Sequence, residues 1–326
     1  MNKENRSVHF SPETRSVQPG PKTRSVQPGP EARSVQPGPE TITVKSRPKA
    51  SGTGFGGIRV RTIGCILLFT TVFISILVIG SRIVEDELLV DLNNIFTAPS
   101  LQHLFGTDWV GRDMLQRTLK GMSISMQVGL ISTVLSVVIA MFFGVMAPVF
   151  GGVPDHLVSW LIDFVMSVPH TILIILISLA CGGGLRGVVA GVVCTHWTSL
   201  TRVIRAEVLQ LKNMEYVQIA EKLGRSRWYI AVHHMFPAIL PQLAVGAVLL
   251  FPHAILHEAS ITFLGFGLPA HEPAIGVILS ESMKYLTVGK WWLALFPGIS
   301  LVAVTVMVEA IGKNLEKLIS PHAAHL

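Results

Sequence analysis

The run 124-ISMQVGLISTVLSVVIAMFFGVMAPV-149 decides the fold, because it holds 26 residues without a charged side chain. As an α-helix it would be about 39 Å long, which exceeds the roughly 30 Å hydrocarbon core of a bilayer. It therefore predicts a tilted membrane-spanning helix. Of all 326 residues, 50% are hydrophobic and only 14% are charged, whereas soluble domains are about 25% charged. This composition excludes an ordinary soluble enzyme and a mostly disordered chain, and three cysteines cannot make a disulfide scaffold.

Six apolar runs predict an all-α membrane protein with six transmembrane helices. The predicted spans are 63–80, 124–149, 157–180, 188–204, 238–263 and 291–311. Lys and Arg favour the cytosolic side of a membrane. Residues 1–62 hold 11 Lys/Arg against four Asp/Glu, and 202–227 holds six Lys/Arg, whereas 81–123 holds six acids and four bases. Both chain ends are therefore predicted to be cytosolic (N-in, C-in), with an external segment at 81–123 and a cytosolic C-terminus at 312–326.

The first 58 residues are predicted to be a disordered cytosolic tail. Four nine-residue repeats begin at Arg6, Arg15, Arg24 and Arg33, and three of them contain Pro-Gly-Pro. Proline and glycine in this pattern oppose both helices and strand ladders, and so polar a repeat cannot bury a core. The tail accounts for the basic pI of about 9.4. No interleaving of aromatic and basic residues accompanies it, so nucleic-acid binding is not predicted.

The stretch 205–236, called the coupling segment below, is too long for a turn and too polar to cross a membrane. We expect two short helices separated at Gly224, a residue type typical of helix C-caps. Ser226 can cap the second helix, and Pro237 should end it. An amphipathic pair of this kind would lie either on the bilayer surface or in a groove of a partner protein. The pattern alone leaves both alternatives open.

The string from Gln218 to Pro237, Q-I-A-x3-G-x9-H-x-F-P, resembles the coupling motif of ABC-transporter permeases, E-A-A-x3-G-x9-I-x-L-P. Gly224 and Pro237 keep the 13-residue separation, and Ala220 keeps its place. Further strings resemble the dipeptide, oligopeptide and nickel permease group: HLFGTDWVGRD at 103–113, SITFLGFG at 260–267, FPG at 296–298 and SPH at 320–322. The resemblance covers about residues 63–322 and excludes the repeats.

The resemblance implies a type I ABC importer permease fold in the cell membrane, with a cytosolic coupling helix. It implies that the chain pairs with a second permease subunit, two cytosolic ATPase subunits and an external substrate-binding protein. Gln218, Ala220, Gly224, Arg225 and Pro237 would then form the ATPase-coupling site, although Arg225 could instead contact lipid headgroups. The chain has no G-x4-G-K-[ST] loop to cradle ATP phosphates. ATP and Mg²⁺ are therefore expected on the partner subunits, and no cofactor is expected in this chain.

Ionisable side chains inside predicted spans are costly and indicate function. His253 and His257 lie four residues apart, so they share a helix face, and this spacing suits a Ni, Cu, Zn or Co ion. Glu258 would lie nearby or orient a ligand, and His196 adds a third imidazole to the predicted substrate pathway. The alternative is that these histidines only bridge helices through hydrogen bonds.

The placement of these histidines resembles the nickel branch of the permease group. It implies that the chain forms half of a translocation pathway for nickel or a nickel chelate. Import of di- or oligopeptides is the alternative within the group. Two alternatives come from other classes, an intramembrane metalloenzyme and an ion channel. The protease signature H-E-x-x-H is absent, because Ala254 follows His253.

Overall fold

The computed structural model describes residues 54–83 and 90–319. The nonapeptide repeats of the predicted tail lie outside these described residues, as do 84–89 of the predicted external segment and the last seven residues of the chain. The first helix begins at Gly54, so it includes the last five residues of the predicted tail.

The described part of the chain is all-α. Its only β-type pairing is an isolated bridge between Thr107 and Asp113. The helices are α1 (Gly54–Arg82), α2 (Met114–Phe150), α3 (Val153–Ser167), α4 (His170–Ala180), α5 (Gly184–Lys212), α6 (Glu215–Lys222), α7 (Arg227–Ile230), α8 (Phe236–Phe263), α9 (Ile275–Leu286) and α10 (Trp292–Ile319). A π-helical turn, Ala231–Met235, joins α7 to α8.

Four helical stretches in the described residues are long and apolar enough to cross a membrane. They are Thr62–Arg82, Met114–Phe150, Arg227–Phe263 and Trp292–Ile319. The pair α3 and α4 adds a fifth candidate if it forms one crossing. α5 contains the predicted fourth span, 188–204, but it is not among these candidates. It continues to Lys212 and so includes the first eight residues of the coupling segment, with their charged side chains.

The predicted third span, 157–180, is not one straight helix. α3 ends at Ser167, α4 begins at His170, and the two helices are bent by 99°. Pro169 accounts for the break, because it has no N–H to donate and disfavours helical backbone at the preceding residue. Val168 accordingly has an extended backbone, with φ −89° and ψ 138°.

α5 packs against α2, α4 and α8. Gly191 permits the close approach of α4, since a Cβ at this position would lie 2.7 Å from the carbonyl oxygen of Ile174. Small residues at such crossings are typical of helices that associate in membranes. Farther along α5, Ile204 and Val208 are fully buried in a core cluster that also includes residues of the coupling segment. The coupling segment is therefore packed onto the bundle.

The segment before α2 folds around the buried carboxylate of Asp108. Its Oδ1 accepts hydrogen bonds from the N–H groups of Val110 and Arg112, both at 2.9 Å. Its Oδ2 accepts from Nε of Arg112 at 2.8 Å and from Nη1 of Arg117 at 3.2 Å. Arg117 is itself buried and also pairs with Glu281 of α9. This network joins the loop, the start of α2 and α9.

Candidate functional site

Gly224 ends α6 with its backbone in the left-handed region, at φ +78°. The N–H of Gly224 donates to the carbonyl oxygen of Glu221 at 3.0 Å, and the N–H of Arg225 donates to that of Ala220 at 3.1 Å. This is a Schellman motif, which satisfies the last carbonyl groups of a helix and favours glycine at its left-handed position. The predicted break at Gly224 is confirmed.

The residues after Gly224 begin a second helix as predicted, but they do not end it at Pro237. Ser226 caps α7 by accepting a hydrogen bond from the N–H of Tyr229 at 3.2 Å. The prediction that Pro237 ends this helix is wrong, because α7, the π-helical turn and α8 continue into one another. The N–H of Phe236 donates to the carbonyl oxygen of Ala231, five residues earlier. A wide turn of this kind lets a helix accommodate a proline without ending.

The coupling segment has a buried face and an exposed face. Val217, Ala220 and Ile230 are buried and pack into the same core cluster as Met235. Ala220 is only 8% exposed, so its side chain packs toward the bundle, and its place in the ATPase-coupling site stays a prediction. An alanine at this place suits close packing of α6 on the bundle, since α6 can then approach the bundle without a large side chain between them.

Large apolar and aromatic side chains cover the exposed face. We call this face the coupling surface, and it consists of Tyr216, Ile219, Leu223 and Trp228. Leu223 is 76% exposed and Trp228 is 59% exposed. Exposed apolar side chains at the polar end of a membrane bundle are typical of a protein-binding site. The residues predicted for the ATPase-coupling site did not include this set.

Two predicted residues, Gln218 and Arg225, and the neighbouring Arg227 are among the polar side chains of this segment with described contacts. Gln218 is exposed, and its Nε2 donates to the carbonyl oxygen of Asn213 at 3.3 Å. The guanidinium of Arg225 lies 4.8 Å from the ring centroid of Tyr229, a distance at which a cation and an aromatic ring attract. Nη1 of Arg227 donates to the carbonyl oxygen of Phe150 at 2.7 Å, which ties α7 to the end of α2.

Three imidazoles meet between α4, α5 and α8. They belong to His170, His196 and His257, and each offers a ring nitrogen within 4.8 Å of the other two. The ring centroids are 4.7 to 5.1 Å apart. His196 is buried, and the other two are partly exposed. His170 follows the break at Pro169. It was not selected from the sequence, because a single imidazole in an apolar run is only a weak signal for a metal ligand.

The structure groups the predicted site residues differently from the sequence analysis. His257 and His196 are in the cluster, but His253 is exposed and lies outside it. The i, i+4 spacing puts His253 on the same side of α8 as His257 but one turn away along the axis, and the other two imidazoles lie at the level of His257. Glu258 is fully buried, and its Oε1 accepts a hydrogen bond from Oγ1 of Thr262 at 3.0 Å. It is not one of the grouped ligands.

The described helices form a bundle with apolar stretches long enough to cross a membrane, and the coupling segment is packed onto it. Residues 136–321, more than half of the chain, match the family described as the inner membrane component of binding-protein-dependent transport systems. The chain belongs to this family. Such proteins are the permease components of ABC importers and work with ATPases and substrate-binding proteins.

Curated relatives agree with this assignment. A Brucella suis protein, provisionally named a peptide transport system permease protein, is 34% identical over 69% of this chain and 76% of its own length. The Bacillus subtilis dipeptide transport system permease protein DppC is 30% identical over 68% of this chain and 70% of its own length. A second Brucella suis protein, provisionally named a peptide permease protein, is 32% identical over 72% of this chain and 78% of its own length.

Family and relatives are multi-pass membrane transport subunits and not enzymes. The metalloenzyme alternative is therefore excluded. The resemblance to the permease group is confirmed at the level of the family, and these relatives carry peptide rather than nickel names.

Proposed function

We propose that this chain is a permease subunit of an ATP-driven importer of di- or oligopeptides and forms half of the translocation pathway. The observation that carries this proposal is a coupling surface of large apolar side chains, held on the bundle by the buried face of the same segment, in a chain whose relatives bear peptide-permease names. The partners would be a second permease, two ATPases that contact the coupling surface and an external binding protein.

Six crossings with both ends in the cytosol complete the proposed arrangement. α5 would make the fourth crossing inside the bundle, where other helices shield its polar residues from lipid, and the bent pair α3–α4 would make the third. In this arrangement the coupling surface faces the cytosol and the loop around Asp108 faces outward. An impermeant thiol reagent should therefore label Leu101→Cys in intact cells and leave Leu223→Cys unlabelled, with the three native cysteines replaced. Labelling of Leu223→Cys from outside would contradict the topology.

A second experiment tests the contact with the ATPases. The double variant Leu223→Ser, Trp228→Ser removes exposed apolar area without removing a buried side chain, so the chain should stay folded and lose its ATPases on purification. The control is Leu101→Ser, which changes a side chain that is 97% exposed in the predicted external segment. ATPases retained at the wild-type level by the double variant would overturn the proposed role of the coupling surface.

Nickel, free or chelated, is the second candidate cargo, and the cluster of three imidazoles favours it. Uptake by cells that carry the full transporter separates the two cargoes. The peptide proposal expects accumulation of a labelled dipeptide that unlabelled dipeptides suppress and NiCl₂ does not. Accumulation of ⁶³Ni without dipeptide uptake would contradict the peptide proposal and support the nickel candidate.

A further inference from the structure

The three clustered imidazoles come from elements that are distant in sequence. His170 is the first residue of α4, His196 lies in the middle of α5, and His257 lies in the second half of α8. The structure brings the ring centroids of His170 and His257 to 4.8 Å and those of His196 and His257 to 5.1 Å. A cluster built from three separate elements depends on the packing of all three.

The chemistry of the cluster suits a transition-metal ion. Imidazole nitrogen is a common ligand of Zn, Cu, Ni and Co ions. Around such an ion, ligand nitrogens bound at about 2.0–2.1 Å lie roughly 3.4 Å from one another. Nε2 of His170 and Nδ1 of His196 lie 3.4 Å apart, so these two rings are already in contact. One ring nitrogen of each histidine lies within 4.8 Å of one nitrogen from each of the other two, so rotation of the rings about their side-chain bonds can close the set.

Hydrogen bonds within the cluster do not account for its arrangement. The described residues show one ring-to-ring contact at hydrogen-bond distance, His170 to His196, and it is at the long end of the range. His257 joins the group through ring proximity. Nδ1 of His196 lies 3.0 Å from the carbonyl oxygen of Val192 and 3.1 Å from Oγ1 of Thr195, contacts that hold its ring in place. A carbonyl oxygen accepts only from a protonated ring nitrogen, so Nδ1 of His196 carries the proton and Nε2 is the nitrogen left to bind an ion. Histidine ligands of metal sites are oriented in this way, through a hydrogen bond from the other ring nitrogen.

We propose that His170, His196 and His257 bind one divalent transition-metal ion and thereby fix the start of α4 against α5 and α8. Three protein ligands leave a coordination position for water, and the partial exposure of His170 and His257 gives the ion a route to the site. The proposal goes beyond peptide import, because it assigns to the permease itself a metal ion that peptide import does not require. The site joins the break at Pro169 to α8, which is continuous with the coupling segment.

The test is Co²⁺ binding by the full-length chain, purified in lipid nanodiscs with an affinity tag that contains no histidine. Co²⁺ held by three imidazoles in a four-coordinate site should give intense visible absorption at one ion per chain. His170→Ala and His257→Gln should each weaken binding at least tenfold. The matched control, His253→Ala, changes an exposed histidine of the same helix and should bind within twofold of the wild type. A second control, His233→Ala with His234→Ala, excludes surface binding at the coupling segment.

Absence of the absorption band in the wild-type chain would overturn the proposal, as would unchanged binding in both His170→Ala and His257→Gln. Melting temperatures without metal show whether each variant is folded. If His170→Ala fails to fold, His257→Gln alone decides the outcome. Because the assay measures ions on the purified chain, its failure leaves the dipeptide-uptake experiment unaffected, and the two proposals can fail separately.

Discussion

The guanidinium of Arg205 holds the carboxylate of Asp155 with two parallel hydrogen bonds. Nε lies 2.7 Å from Oδ1, and Nη2 lies 2.8 Å from Oδ2. Asp155 is in the first turn of α3, and Arg205 is at the start of the coupling segment within α5. Both side chains are mostly shielded from solvent. The pair connects the bent span, α3 and α4, to the helix that leads into the coupling segment.

Asp155→Asn should destabilise the protein by about 1–2 kcal/mol, since a bidentate, charge-assisted pair becomes a neutral contact. The measurement is the melting temperature of the purified chain. Glu316→Gln is the matched control, because Glu316 is exposed in the predicted cytosolic C-terminus. Substitutions of exposed surface side chains usually change stability by about 0.5 kcal/mol or less, so this control should melt close to the wild type. Equal losses in the two variants would contradict a special role for the Arg205 pair.

Asp108→Asn should cost about 3–5 kcal/mol, because it leaves the buried guanidinium of Arg117 with a weaker partner. We expect low yields of folded protein and a lower melting temperature. Asp113→Asn is the control. Asp113 caps α2 by accepting from the N–H of Leu115 at 2.8 Å, and asparagine caps a helix about as well as aspartate. A milder effect at Asp108 than at Asp113 would show that the network around Asp108 is not what stabilises the loop.

Gly191→Ala should destabilise the contact between α4 and α5 by about 1–3 kcal/mol, because the added methyl group would meet a backbone oxygen that cannot move alone. Gly298→Ala adds the same group to another helix, where the nearest atom, Cδ2 of Leu279, is 3.9 Å away. The control should therefore melt at or above the wild-type temperature. Limited proteolysis of the loop between α4 and α5 provides a second measurement, and faster cleavage is expected only in Gly191→Ala.

Gly224→Ala should cost about 1 kcal/mol, because an L-residue disfavours the left-handed backbone of the Schellman motif. No atom lies within 4 Å of the added methyl group, so the cost comes from the backbone alone. Gly224→Asn should cost less, since asparagine tolerates this conformation better. Gly64→Ala also has open space around it but sits within α1, and it should cause no loss. Uptake and melting temperature, measured together, separate a weakened coupling segment from general instability.

Local sequence patterns were sufficient for the elements that depend on a few neighbouring residues. The glycine at 224 and the serine at 226 specify a helix end and a helix start, and both occur where predicted. The same local reasoning was wrong at Pro237, because a π-helical turn just before it absorbs the missing hydrogen bond. It did not anticipate the 99° bend between α3 and α4. The apolar run was interpreted as a single span, because the sequence does not specify the backbone conformation around Pro169.

The candidate sites needed contacts between distant residues. Spacing along α8 selected His253 and His257, but a ligand set requires groups at the same depth in the bundle, and only His257 meets His170 and His196. The residues predicted for the ATPase-coupling site included Ala220, which packs inward. The neighbouring apolar residues Leu223 and Trp228 were not selected, because apolar residues in an amphipathic pattern are assigned to the core by default.

By itself, the sequence determined that this protein is a helical membrane protein, because long uncharged runs form helices in lipid. The role of a transport subunit was implied by the resemblance of the segment from Gln218 to Pro237 to the coupling motif of ABC permeases. Only the tertiary structure decided which face of that segment is exposed and which three imidazoles meet. Both depend on how α4, α5 and α8 pack, and packing is set by close contacts such as Gly191 with Ile174 that no spacing along one helix can specify.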